Sequence, residues 1–332
     1  MRATVIAAAA LLLAAGCSGD PAPPRRVPVA VAPSAADTPL TPRSAAVGFR
    51  TWALNDDLAR ASGDTLLAQS WADDSQQAVA VAEFRERKAD GRPVPRHVYG
   101  EPVLWVPRLA GYPQWFVASV KRQDKPVLMA FIRKNPKERF RLSVVVTPGK
   151  GMKVPKVPVD KDGYAQAVAP DAETGLLTSP GTVASLQAAV ADEGPRSFSA
   201  RVVKEGPYTT GLFTAHQKAA KAAAKHGLTV TSTFTVPVQP LFALRTSDGS
   251  ALVLYPLTRD TATVHTDAAD PEPVPVPEAY AHLVPHGLEA SRLHVFSSLQ
   301  FAAVVPAHAQ GKERPKAVVI ASGGGVTRIK SA

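Results

Sequence analysis

A single cysteine, Cys17, stands in a chain of 332 residues, so whatever this sequence folds into is held without an intrachain disulfide. The residues before it explain why that matters. Arg2 is followed by an apolar run from Ala3 to Ala15, broken only by Thr4, and then by small residues up to Cys17. A short positive region, an apolar stretch and a small-residue end make an export signal. The stretch is too short to cross a bilayer as a helix, which needs about 20 residues. The chain is therefore expected to leave the cytoplasm for an oxidising compartment with no bridge to form, and packing alone must stabilise it.

The run Leu13-Ala14-Ala15-Gly16-Cys17 resembles the lipobox of bacterial lipoproteins, with Ala14 standing where that motif prefers leucine. The resemblance implies that the Cys17 thiol receives a diacylglyceryl group, that residues 1–16 are cut away, and that the new amine is acylated, for example with palmitate. Each buried methylene contributes about 0.8 kcal/mol, so two or three acyl chains hold stably where one binds reversibly. The implied address is the outer face of the cytoplasmic membrane. Residues 18–40 are rich in proline and alanine, show no amphipathic period, and read as a tether of roughly 70 Å when extended.

Beyond the tether the pattern divides into two halves. Thr41 with Pro42 starts a helix whose Phe49, Trp52 and Leu58 recur at helical spacing and which ends at Ser62-Gly63. Asp64 caps a second helix and Ser75 a third. Alternation by two then marks strands through Trp105, through Phe116 and Val120, through Val127, Met129 and Phe131, and through Leu142 and Val146, with a hairpin turn at 123–125. Residues 149–178 lack pattern and read as a join. The second half repeats the order: helices at 182–191 and 209–226, then strands at 228–236, 241–245, 251–257, 261–265, 294–305 and 317–321. Asp248-Gly249 is a hairpin turn, and Gly323-Gly324-Gly325 reads as a flexible turn. The expected class is α+β, with a signal peptide over 1–17, a tether over 18–40, and domains at 41–148 and 179–330.

The order of helices before a curved antiparallel sheet is similar to the cone-shaped fold of nuclear transport factor and ketosteroid isomerase. The phrases Tyr112-Pro113-Gln114-Trp115-Phe116, Asp248-Gly249 before Ala251-Leu252-Val253, and Gln300-Phe301-Ala302-Ala303-Val304-Val305-Pro306 resemble those of uncharacterised actinobacterial surface lipoproteins with two such domains. The resemblance implies a fold and an address, with no inherited activity.

The net charge of +10 is concentrated. Residues 121–161 hold 12 basic and 3 acidic residues, whereas 260–289 hold six acidic residues and no Lys or Arg. Lys121, Arg122 and Lys125 flank one turn, Arg133, Lys134, Lys137, Arg139 and Arg141 another, and Lys150, Lys153, Lys156 and Lys161 continue into the join. Export removes nucleic acid as a partner. Three readings stay open: contact with anionic headgroups or envelope polymers, a solvated strand face, or docking onto the acidic loop.

Motifs for catalysis are sparse. His282 and His286 have i, i+4 spacing around Pro285 without a helical HExxH context, so no metal is expected, and no cofactor signature is present. His97, Tyr99, Glu101 and Tyr112 are the residues that can line the mouth of a first-domain cone, where burial tunes a general base. Trp52, Trp71, Trp105 and Trp115 either fill the core or line a pocket for an apolar ligand. The leading expectation is a non-catalytic binding or scaffolding role in the cell envelope with an unidentified protein partner; the alternative is a small-ligand carrier or enzyme using a cone cavity.

Overall fold

Thr41 accepts the Ser44 N–H while Ser44 Oγ accepts the Thr41 N–H, a capping box that opens α1 (Pro42–Ser62). Gly63, at φ 67°, closes it in the left-handed region. In the computed structural model the described residues are 39–331 apart from 174, 268–271, 285–289 and 309–314, so Cys17, nearly all of the tether, and His286 lie outside them. Asp64 takes the Leu67 N–H at 3.0 Å to cap α2 (Thr65–Ser70). The third helix, α3 (Asp74–Ala89), starts earlier than expected because Asp73, not Ser75, is its cap. Ser75 is instead buried, its hydroxyl donating to the Ser143 carbonyl at 3.4 Å.

The meander follows as β1 (Val103–Pro107), β2 (Gln114–Arg122), β3 (Lys125–Arg133) and β4 (Arg141–Pro148), each antiparallel to the next. Gln123 and Asp124 both take positive φ, as a two-residue turn in a right-twisted hairpin requires. Val127, Met129 and Phe131 face α1 and α2, stacked with Phe49, Trp52 and Phe116. Leu128, Ala130 and Ile132 face the other way and are buried as completely, against the second half of the chain.

That second half begins with α4 (Pro180–Glu193) and α5 (Thr210–Ala224), then β6 (Leu228–Thr235), β7 (Phe242–Arg245), β8 (Ala251–His265), β9 (Arg292–Val305) and β10 (Val318–Ser331). Two expectations are corrected here. The strands read as 251–257 and 261–265 are one strand: Arg259 donates to Ser232 Oγ at 2.7 Å and Asp260 meets His294 at 3.0 Å, so the polar interruption is made of cross-strand pairs. Gly323-Gly324-Gly325 is strand and not a turn. A Cβ on Gly323 would lie 2.0 Å from the Val145 carbonyl oxygen, and one on Gly324, at φ 85°, 2.0 Å from that of Ser298. The glycines mark the close crossing of β10 with β4 and β9.

The strand order is β5-β1-β2-β3-β4-β10-β9-β8-β6, where β5 (Tyr164–Ala165) lies parallel to β1 and β7 pairs with β8. β4 and β10 join the halves at Ala321↔Pro148 and Ser322↔Thr147. One core packs α4 on Val253, Tyr255 and Phe301; a second places Leu128 and Val144 against Phe242, Leu252 and Ala302. The layers therefore run helices, one half of the sheet, shared apolar centre, the other half of the same sheet, helices. The α+β class and antiparallel sheet stand, and the described residues fall in one compact unit. The expected join is woven into both halves, through Val106↔Tyr164 and the bridge Ala167↔Leu244. Among the described residues no helix is long and apolar enough to cross a membrane.

Candidate functional site

The β2–β3 register separates the basic residues that the sequence places together. Arg122 pairs with Lys125 beside the turn, while Gln114 pairs with Arg133 at the far end. Eight steps of about 3.4 Å put the two groups roughly 27 Å apart. Lys121 and Lys125 are exposed at the turn and Arg122 is half-buried. No carboxylate among the described residues lies within ion-pair distance of these three.

The far group divides again. Lys134 Nζ reaches Asp73 at 3.0 Å and Asp74 at 2.9 Å, and Arg141 donates to Glu138 at 2.8 Å. Burial would lower the Lys134 pKa, but the two aspartates outweigh it and raise the value; Arg141 holds the Glu138 carboxyl below its ordinary range. These carboxylates belong to the first half. Described parts of the acidic loop sit elsewhere, with Val274 packed on Leu293, Val295 and Ile329. Arg133 and Arg139 have neutral partners. Arg133 donates to Gln114 and lies near the rings of Tyr112 and Phe140, and Arg139 donates to the Ser70 carbonyl and sits 4.1 Å over Trp71. With Arg43 and Val47 of α1 they line a surface groove of about 490 Å³. Lys137 is exposed beside Glu138 in an adjoining groove.

Beneath α1, the structure joins two of the four residues expected at a cone mouth. His97 Nδ1 is 3.1 Å from Tyr99 Oη, and Tyr99 donates to Asp56 at 3.2 Å. Arg60 ties Asp56 at 3.0 Å to Glu83, with bonds of 2.8 and 3.1 Å to the latter's two oxygens. Glu101 is exposed, and Tyr112 lies at the far end of the hairpin beside Arg133. Burial pushes the Asp56 carboxyl up, yet His97 and Arg60 prevail and hold it below the aspartate range; burial pushes the Tyr99 phenol up, out of reach of base chemistry. The cavity here is about 30 Å³, room for a water or two. Trp52, Trp71 and Trp105 are buried in the cores, and Trp115 packs on Phe242 at 5.5 Å. The i, i+4 spacing of Asp56 and Arg60 on α1 is a local signal that could have found their pair, whereas Glu83 and Tyr99, 23 and 43 residues from their partners, carry none.

Residues 38–331 match the family described as Domain of unknown function (DUF8094). The chain belongs to that family. The chain is similar to Uncharacterized lipoprotein SCO6871 of Streptomyces coelicolor, 26% identical over 300 residues that span 85% of this chain and 83% of the relative. It is also similar to Uncharacterized lipoprotein SCO2278 of the same organism, 31% identical over 160 residues, 45% of this chain and 44% of the relative. No solved structure matches the DUF8094 chain. The expected likeness to uncharacterised actinobacterial lipoproteins thus meets relatives of that description, while the likeness to the cone-shaped fold is carried by no solved structure.

Proposed function

We propose that this DUF8094 chain is a lipoprotein, anchored by an acylated Cys17 on the outer face of the cytoplasmic membrane, with a non-catalytic binding or scaffolding role in the cell envelope. The leader supports the anchor, and so do the two Streptomyces relatives, both described as lipoproteins. The halves 41–148 and 179–330 serve in this reading as two domains closed on one another by their shared core. The contact surface is basic, and the observation that carries it is the contrast within the segment. Lys134 and Arg141 are spent on Asp73, Asp74 and Glu138, while Lys121 and Lys125 are exposed at the turn with the half-buried Arg122 beside them, all three without carboxylate ion-pair partners among the described residues. Cations left in that state attract anionic envelope polymers or headgroups within a Debye length of about 8 Å.

The test is retention of the protein on purified cell wall at low salt. Replacing Lys121, Arg122 and Lys125 by Gln is expected to lower retention several-fold, with Lys134→Gln leaving it unchanged. Equal retention of the triple variant and the parent removes the polyanion contact.

A further inference from the structure

Two opposite faces of α1 are apolar. Ala45, Phe49 and Trp52 are buried on the sheet and Ala59 against α2 and α3. At about 100° per residue, Val47, Leu54 and Leu58 fall on the far side, where they are 51%, 73% and 56% exposed. A surface helix ordinarily turns polar residues outward, so a leucine stripe there asks for an occupant. Arg43 and Arg50, both exposed, stand beside the stripe. Along Val47 the stripe opens into the groove bearing Arg133 and Arg139, whose charges meet only neutral groups among the described residues. The carboxylates of α1 do not offset this: Asp56 is held inward by Arg60, and Asp57, at the surface, is already paired with Arg96.

We propose that this face of α1 docks on an anionic phospholipid surface, with Leu54 and Leu58 entering the boundary between headgroups and acyl chains and the arginines meeting lipid phosphates. An apolar stripe beside cations is how a helix lies in a membrane interface. Position argues for the same occupant, because α1 is the first element after the segment that leads from Cys17. A wall polymer would leave the leucines in water. A second copy, in a two-fold contact, would set arginine against arginine. The inference rests on the membrane-tethered reading and adds the orientation of the body on the bilayer.

The test uses the full, lipid-bearing chain in vesicles containing phosphatidylglycerol. Because Cys17 is the only cysteine and is acylated in this reading, Leu54→Cys carries a fluorophore at one site. Val238→Cys, on the loop between β6 and β7 and fully exposed, is the comparison. Bromolipids are expected to quench the Leu54 probe at least about twofold more than the Val238 probe. The contrast should shrink in high salt, in phosphatidylcholine vesicles, and with Arg43→Gln plus Arg50→Gln. Equal quenching in protein that floats with the vesicles overturns the docking alone, as does shielding of Leu54 that follows protein concentration without lipid. Protein that fails to float, with Cys17 open to thiol reagent, counts against the tether and the docking together.

Discussion

The side chain of Gln300, on β9, accepts the main-chain N–H of Val145, on β4, at 2.6 Å across 155 residues of sequence. Its amide nitrogen donates to Ser75 Oγ at 2.9 Å and to Gln76 at 3.1 Å, so one fully buried residue ties the second half of the sheet to the first and to the start of α3. Gln300→Ala orphans the Val145 N–H in a place water cannot reach, a loss of about 1–3 kcal/mol before the cavity is counted. Thermal unfolding should fall by roughly 2–4 °C for each kcal/mol lost. Gln300→Ala melting with the parent would show that the tie contributes nothing.

The crossing of β10 over its neighbours makes a sharper contrast. Gly323→Ala and Gly324→Ala each drive a methyl into a carbonyl oxygen, and Gly324 adds a positive φ, whereas a Cβ on Gly325 meets nothing within 4 Å. The first two substitutions should cost about 4 kcal/mol or more, and Gly325→Ala should stay within roughly 0.5 kcal/mol of the parent. Denaturant titration of the three proteins separates them. Equal midpoints would contradict the crossing geometry.

Acid stability should depend on Asp56. Its carboxyl is held below the ordinary value of about 3.9, so the contribution is present above that pH and is lost as pH falls through the lower folded-state value. At neutral pH Asp56→Asn should cost up to about 3 kcal/mol, near the low end for a broken buried pair because Arg60 keeps Glu83. Below pH about 4 the gap between variant and parent should narrow. A gap that stays constant from pH 7 to 2 would remove the charge from the account and leave only shape.

Short-range chemistry was readable in the sequence. Thr41 with Pro42, Gly63, Asp64 and the turns at 123–124 and 248–249 act on residues a few places away, and each stands where it is expected. What depends on a distant partner was not readable. The alternation of Val127, Met129 and Phe131 picks out one buried face of β3, yet Leu128, Ala130 and Ile132 are equally apolar, and only the arrival of Phe242 and Leu252 shows that both faces are covered. The basic segment failed for a related reason. Density of charge along a hairpin is not density in space, because the ladder carries Arg122 and Arg133 to opposite ends. Thr258, Arg259 and Asp260 looked like a break because their partners Thr235, Ser232 and His294 lie on other strands.

Attachment through Cys17 is the claim on which the envelope reading stands, and it makes a simple cellular prediction. Cys17→Ala should move the protein out of the membrane fraction and prevent the cut before residue 17.

Mass spectrometry of the N-terminal peptide of the native protein tests that claim most directly. A peptide beginning at residue 17 and carrying diacylglycerol is the result predicted here. A peptide that retains residues 1–16, or an unmodified Cys17 thiol, would contradict it.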